Sequence, residues 1–229
     1  LFEGVDQESI AFSFGKSNCN GIHRDVEIKR YDRNKDMRSK ETIDLHEDKL
    51  EEINYCIPVV FGASFFKMMQ RWSNFSPLDS HEEHGSLWLG RELDETRHRE
   101  WLCDDGEYLF MKGRMVNRFE IVEEPSSYVD ESKKRVPGTA DQHRIVWRDV
   151  ARRSQARRVQ ATIIEPGIAT GNSLHAGYFK DGNTVRLKAL LGLFNSIPFE
   201  FQVRALLGTG HISLGVVRKV RIPPLNDAV

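Results

Sequence analysis

Six arginines, Arg144, Arg148, Arg152, Arg153, Arg157 and Arg158, fall within fifteen residues, opposed there only by Asp149. On a helix, Arg144, Arg148 and Arg152 form an i, i+4, i+8 stripe; on a strand the same three share a face, so either geometry gathers guanidiniums on one side. The guanidinium is a planar fork that grips phosphate oxygens and makes bidentate contacts with O6 and N7 of guanine. Around the run lie Lys112, Arg114, Asn117 and Arg118, then Asn172 and Ser173 in a turn opened by Gly171, and later His211, Arg218 and Lys219. Asparagine reads adenine bidentately, whereas serine more often positions a phosphate. These types in this density predict a DNA-facing surface; the competing reading is a solvated or internally ion-paired face.

Other chemistries fail on spacing. Gly15-Lys16-Ser17 resembles the end of a phosphate-binding loop, but Ile10 stands where its first glycine is needed. Gly208-Thr209-Gly210-His211 breaks the dinucleotide pattern at Ser213, and the histidines of His81-Glu82-Glu83-His84 are three apart rather than four. Cys19 and His23 have no second ligand pair, since Cys56 and Cys103 lack paired spacing. One weak pattern stays open: Asp6 with Glu27 and Lys29, the Glu-x-Lys arrangement that metal-dependent nucleases use. Solvated charge is the competing reading there.

Charge separates along the chain. Residues 1–110 carry 14 Lys+Arg against 23 Asp+Glu, a net of −9, and residues 111–229 carry 19 against 11, a net of +8. That asymmetry points to a polyanionic partner for the later half, or to an acidic half docked on a basic one. With 229 residues and 39% hydrophobic content the chain is long enough for a sizeable core and is neither collagen-like nor disordered. Three cysteines make no disulfide framework, so a cytoplasmic location is expected. The run 53–66 is too short for the roughly 20 residues of a membrane span, and no membrane partner is expected. The chain opens on Leu1 rather than Met, which points to a piece of something longer.

The elements that would position these groups follow from pattern. Residues 9–15 alternate as a short strand, 44–52 read as helix, and 57–62 as a buried strand or a turn. Residues 64–72 have helical spacing, with Phe65, Met68, Met69 and Trp72 on one face. Residues 73–86 and 123–142 read as loops, the second one mobile. Runs 144–151 and 159–165 are strand-like. Residues 184–195 form the best helix, with Val185, Leu187, Leu190, Leu191 and Phe194 on its apolar face and Pro198 ending it. Residues 215–223 read as a last strand. The mixture predicts an α+β fold with mixed and antiparallel twisted sheets and packed helices.

At this point the order of motifs resembles a known family. Leu109-Phe110-Met111-Lys112-Gly113-Arg114-Met115-Val116-Asn117-Arg118-Phe119 resembles the P-L-Y-E/K-G-K-M-I-x-x-F segment of adenine-specific DNA methyltransferases of restriction–modification systems, in their TaqI-like C-terminal specificity (target-recognition) domain. Gly90 to Thr96 is similar to the segment before it. Val146-Trp147-Arg148-Asp149-Val150-Ala151 and Arg158 to Pro166 resemble the pair Y-R-x-I-A and R-x-x-I-A-A-I-I-P. The turn at Gly171-Asn172-Ser173-Leu174 and the helix Leu190 to Ser196 follow in order, and Thr209 to Ser213 and Arg221-Ile222-Pro223 close the pattern. Residues 85–229 carry the resemblance well and 1–84 loosely, so an acidic N-terminal subregion (1–84) is expected to pack on or be inserted in a recognition domain (85–229). Glu165 departs from the family beside Pro166 and is expected to put an acid next to the base-reading turn.

The resemblance implies sequence-specific recognition of double-stranded DNA, with Lys112, Arg152, Arg153, Arg218 and Lys219 on phosphates and some of Arg148, Arg157, Arg158, Asn172 and His211 on bases. The family's Asn/Asp-Pro-Pro-Tyr/Phe motif and glycine-rich S-adenosylmethionine loop are missing from these residues. The chain itself is therefore expected to take no cofactor, and S-adenosylmethionine belongs to the implied catalytic domain, in cis or in trans. A restriction-endonuclease fragment and a non-enzymatic interaction module are the alternatives.

Overall fold

A computed structural model describes residues 25–31, 34, 36–44, 62–85, 87–96, 99–152, 154–207 and 210–225. The expectations at residues 9–15, 45–52 and 57–61, and for Asp6, Cys19, His23, Cys56 and Arg153, lie outside these residues. A hairpin, β1 (Asp25–Tyr31) and β2 (Met37–Asp44), precedes helix α1 (Gly62–Trp72). β3 (Ser76–Pro77), the single turn α2 (His81–His84) and β4 (Leu87–Gly90) follow. Next come β5 (Leu102–Cys103), β6 (Tyr108–Met111), β7 (Tyr128–Val129), β8 (Arg144–Arg148), β9 (Ala161–Ile164), β10 (Ile168–Thr170) and β11 (Leu174–Phe179). Helices α3 (Thr184–Phe194), α4 (Ile197–Leu206) and α5 (Leu214–Arg218) and strand β12 (Arg221–Ile222) close the chain. The fold is α+β, as its patterning predicts. Among the described residues no helix is long and apolar enough to cross a membrane.

Two four-stranded sheets carry the structure. One is antiparallel, in the order β4-β11-β8-β9; the other, β10-β6-β7-β5, is mixed, with β10 parallel to β6. The period-two geometry of β8 sends Ile145 and Trp147 to one face, where they pack with Leu187, Leu190, Phe194, Phe199 and Val203 of α3 and α4. Val146 goes to the other face, with Met111, Ile164, Leu174 and Ala176. Covered on both sides, β8 reads as a nearly unbroken apolar run between arginines. A third cluster (Leu93, Trp101, Phe110, Val129, Ala140 and Ala169) fills the mixed sheet.

Several local expectations change. The segment read as a mobile loop contains β7, which pairs with both β5 and β6 in the middle of its sheet. In 73–86, β3 pairs with β12, Leu78 enters the main core, and the Arg221 guanidinium donates to the carbonyls of Ser73 and Phe75. Residues 215–223 are not one strand: α5 occupies their first part and β12 is two residues long. On α1, Met69 is buried but Met68 is exposed, and on α3 Val185 is exposed. Pro198 does not end α3. The Asn195 side chain donates to Leu191 O at 3.2 Å and Ala161 O at 3.0 Å, closing that helix. Ser196 Oγ then accepts from Phe199 N to open α4, with Pro198 in its first turn, where a missing N–H costs nothing.

The two sheets are tied by a buried ion pair. Arg144, the arginine expected on a surface stripe, is fully buried against Glu92. Glu92 also accepts from Thr139 Oγ1 and from Thr170 N and Oγ1, each at 2.8 Å. Arg144 donates as well to the carbonyls of Gln142 and Ile168. Removing one member of such a pair strands the other charge at a cost of about 3–5 kcal/mol, whereas replacing both by apolar groups costs much less. Glu92→Gln is therefore expected to lose several kcal/mol in urea unfolding and the Glu92→Leu/Arg144→Met double variant to recover part of that loss; a neutral Glu92→Gln would overturn this account.

Candidate nucleic-acid interface

Strand direction collects the candidate residues. β6 and β10 end together at the Met111–Thr170 pair. β8 ends at Arg148 opposite Leu174, the first residue of β11; β4 ends at Gly90 opposite Ala176; β9 begins at Ala161 opposite Trp147. The loops 91–94, 112–119, 149–160 and 171–173 thus leave both sheets along one edge, laced by Leu93 N–H to Thr170 O, Gly171 N–H to Met111 O and Asp149 N–H to Ser173 O. Two glycines make the approach possible. A Cβ on Gly113 would lie 2.7 Å from Ser173 O, and one on Gly171 would lie 2.7 Å from Phe110 Cζ. Ser173 Oγ in turn accepts from Gly113 N–H at 2.8 Å. Glu165 follows β9 at its opposite end, paired with His143, so it is not beside this turn.

On this edge many candidate side chains already hold protein partners. Lys112 Nζ pairs with Glu95 at 3.2 Å, and Asn172 donates to Thr96 Oγ1 at 2.8 Å and Asp94 at 3.3 Å. Arg114 pairs with Glu123 and Asn117 with Glu120. Arg118 donates to Asn195 O, and Arg157 to Asn195 O and Ser196 O, so two cations cap the C terminus of α3, where helix carbonyls lack partners and the dipole is negative. Arg218 donates to Leu89 O on the edge strand β4, and Lys219 is exposed.

Buried Glu200 on α4 organises the arginine-rich loop. It accepts from the backbone N–H of Arg158 (2.9 Å) and Val159 (3.0 Å), pairs with Arg204 at 2.6 Å and lies 3.6 Å from Arg157. Burial pushes its carboxyl up, but these donors outweigh that and hold it below the usual range. Arg148 and Arg152 differ from the others. Arg148 Nη1 donates to Gln160 Oε1 at 2.7 Å, and exposed Arg152 engages Gln155 through its backbone, its N–H donating to Gln155 Oε1 and its carbonyl accepting from Gln155 N–H. Burial, and then the charge of Arg152, lowers the pKa of Arg148.

Sequence reasoning missed the centre of this edge. Asp149, nearly buried, accepts from His175 Nε2 at 3.0 Å and His211 Nδ1 at 2.9 Å, with Arg91 Nη2 at 3.6 Å. Arg91 Nε also donates to His175 Nδ1 at 3.2 Å. A guanidinium only donates and a carboxylate only accepts, so fully buried His175 is the neutral Nε2–H tautomer. Burial pushes its pKa down more than Asp149 raises it, and a second proton would break the bond from Arg91. Burial alone would raise Asp149, but the two imidazoles hold it low. The period-two alternation of β11 was the available signal for His175, which stands opposite Trp147 on the helix-covered face.

The nuclease pattern fares differently. Glu27 sits on the exposed hairpin between Lys40 at 2.8 Å and Lys29 at 3.2 Å, which lower its pKa and supply the positive charge a divalent cation would bring. Among the described residues no group of three His, Cys, Asp or Glu side chains could hold a metal.

A depressed folded-state histidine pKa means that the unfolded chain binds the proton more readily, so stability is complete above the ordinary value of 6.5 and falls as pH drops through it. The melting temperature is expected to decline between pH 7.5 and 5.5, His84 contributing in the same direction. In His175→Gln the decline is shallower although the starting stability is lower; equal slopes would remove His175 as a source. A scan against protein-family models and a search of curated proteins return no match to this chain.

Proposed function

We propose that this chain is a double-stranded DNA recognition domain of a restriction–modification adenine-N6 methyltransferase, holding duplex for a methyltransferase domain whose motifs these residues lack. The observation that carries the reading is the pair Arg148 and Arg152. Their charges lie close enough for one to depress the other, and among the described residues no carboxylate pairs with either. Two like charges near each other without a carboxylate partner favour an anion, and phosphate oxygens fit the guanidinium fork. The ordered motifs add support, because the loops bearing them leave one edge of the sheets. Ion pairs such as Lys112–Glu95 sharpen the demand on a ligand: DNA that uses Lys112 must displace a carboxylate first.

Among the described residues, the cleft lined by Gln142, His143, Phe179, Asn183 and Leu187 encloses about 30 Å³, room for a water molecule but not for a nucleoside such as S-adenosylmethionine. It also lies by Phe179, at the end of β11 away from the candidate loops. The cofactor belongs with the catalytic domain, which must also receive the adenine once it is flipped from the stack.

Binding to a mixed-sequence 30-base-pair duplex is expected to weaken with salt, log K falling by about 0.9 per phosphate neutralised for each unit of log salt. Arg148→Gln/Arg152→Gln is expected to weaken binding at low salt and to make that slope shallower by about two. No duplex binding at low salt, or an unchanged slope in the double variant, would overturn the proposal.

A further inference from the structure

Phe119 combines a left-handed backbone at the tip of a tight turn, an exposed ring and a firmly held main chain. Its φ of +66° makes it the one non-glycine residue at positive φ among the described residues. A bulky side chain is strained in that region, and glycine would relieve the strain. The ring is 55% exposed and belongs to none of the three buried clusters described above. Yet the backbone around it is firmly held. Val116 bridges Ile121, Asn117 N–H donates to Glu120 O at 3.0 Å, and Phe119 N–H donates to Ala161 O at 2.8 Å. Arg118 anchors the same turn on Asn195 O, with its guanidinium carbon 5.7 Å from the Phe119 ring centroid.

A strained residue presented on a fixed pedestal is the arrangement in which strain serves function. Ala161, which holds the Phe119 amide, directly follows Gln160, the partner of Arg148. The nearby carboxylates are engaged, Glu120 by Asn117 and Glu123 by Arg114. An exposed aromatic ring anchored one residue from Gln160, the residue that holds Arg148, suits a ligand that is anionic along its backbone and flat and apolar at its bases. We infer that Phe119 is a wedge that inserts into the base stack of duplex DNA at the position unstacked for the partner enzyme. Apolar wedges between base steps offset part of the cost of unstacking, and their rings stack on any base. This rests on the DNA-recognition reading, to which it adds a residue and a mode of contact.

The test compares the whole chain and its variants on two 30-base-pair duplexes of one mixed sequence, intact or with a central abasic site where a ring can enter without displacing a base. The wild-type chain is expected to prefer the abasic duplex by about tenfold, the scale of one base–aromatic stack. Phe119→Trp is expected to keep that preference. Phe119→Ala is expected to bring it within about twofold while the intact-duplex salt slope stays unchanged. Phe119→Gly is expected to lose it and to melt no lower than wild type, because the strain goes with the ring. An abasic preference that survives in Phe119→Ala, or a marked fall in the melting temperature of Phe119→Gly, would overturn the wedge and leave DNA recognition standing. Failure of the wild-type chain to bind either duplex would instead remove DNA recognition, and the wedge with it.

Discussion

Taking a carboxylate and a guanidinium out of water costs several kcal/mol for each ion, and the cost is offset only where every lone pair and proton finds a partner. Glu92 and Arg144 meet that condition with donors and acceptors drawn from both sheets: Thr170 and Ile168 of β10, Thr139, and Gln142 just before β8. The pair therefore acts as a rivet. It fixes the start of β8 against the length of β10, so the far ends of the two strands emerge side by side. Loops 171–173 and 149–160 meet because β11 pairs with β8 at Leu174 and Arg148, and the rivet holds β10 and the close approach at Gly113 in the same register. An apolar substitute would fill the space without specifying register as tightly, since non-directional burial tolerates sliding that hydrogen bonds do not.

Beyond the rivet, the arginines divide by what faces them. Arg118 and Arg157 meet the carbonyls that end α3, Arg204 meets Glu200, and Arg218 meets the edge of β4. Each substitutes for water at a backbone or carboxylate group that would otherwise be left without a partner. Their clustering near one another follows from the fold: the ends of helices and sheets expose many acceptors in a small area. A run of arginine is thus weak testimony about a ligand until its acceptors are known. Arg148, held by the Gln160 amide, and exposed Arg152 are the pair on which the proposed DNA-facing role rests.

The parts of this architecture legible in the sequence are those set by local pattern. The strand runs at 144–148 and 161–164, the helix at 184–194 and the turn at Gly171 follow from periodicity and turn chemistry, and the structure has each of them. What was not legible depends on partners distant along the chain. β7 is two residues long and carries no period of its own; it exists because β5 and β6 flank it. Pro198 is compatible with stopping one helix or starting the next, and the hydroxyl of Ser196, two residues earlier, decides between them. Arg144 sits in the same apparent stripe as Arg148, and only Glu92, 52 residues away, makes it a core residue. His175 and Glu200 were invisible as site organisers for the same reason.

Asp149 shows how far composition can mislead. Counted along the chain, it is the one acid within the arginine run and its natural counterion. In space it turns toward the face of Trp147 and His175, where two imidazoles and Arg91 satisfy it, while Arg148 points to Gln160 just before β9. Alternation at the end of β8 therefore separates neighbouring opposite charges onto different faces, and the acid that should neutralise the run instead braces the loops behind it. The excess positive charge left at Arg148 and Arg152 is a property of the fold rather than of the count. It persists because moving Asp149 to compensate would leave a buried imidazole without its acceptor.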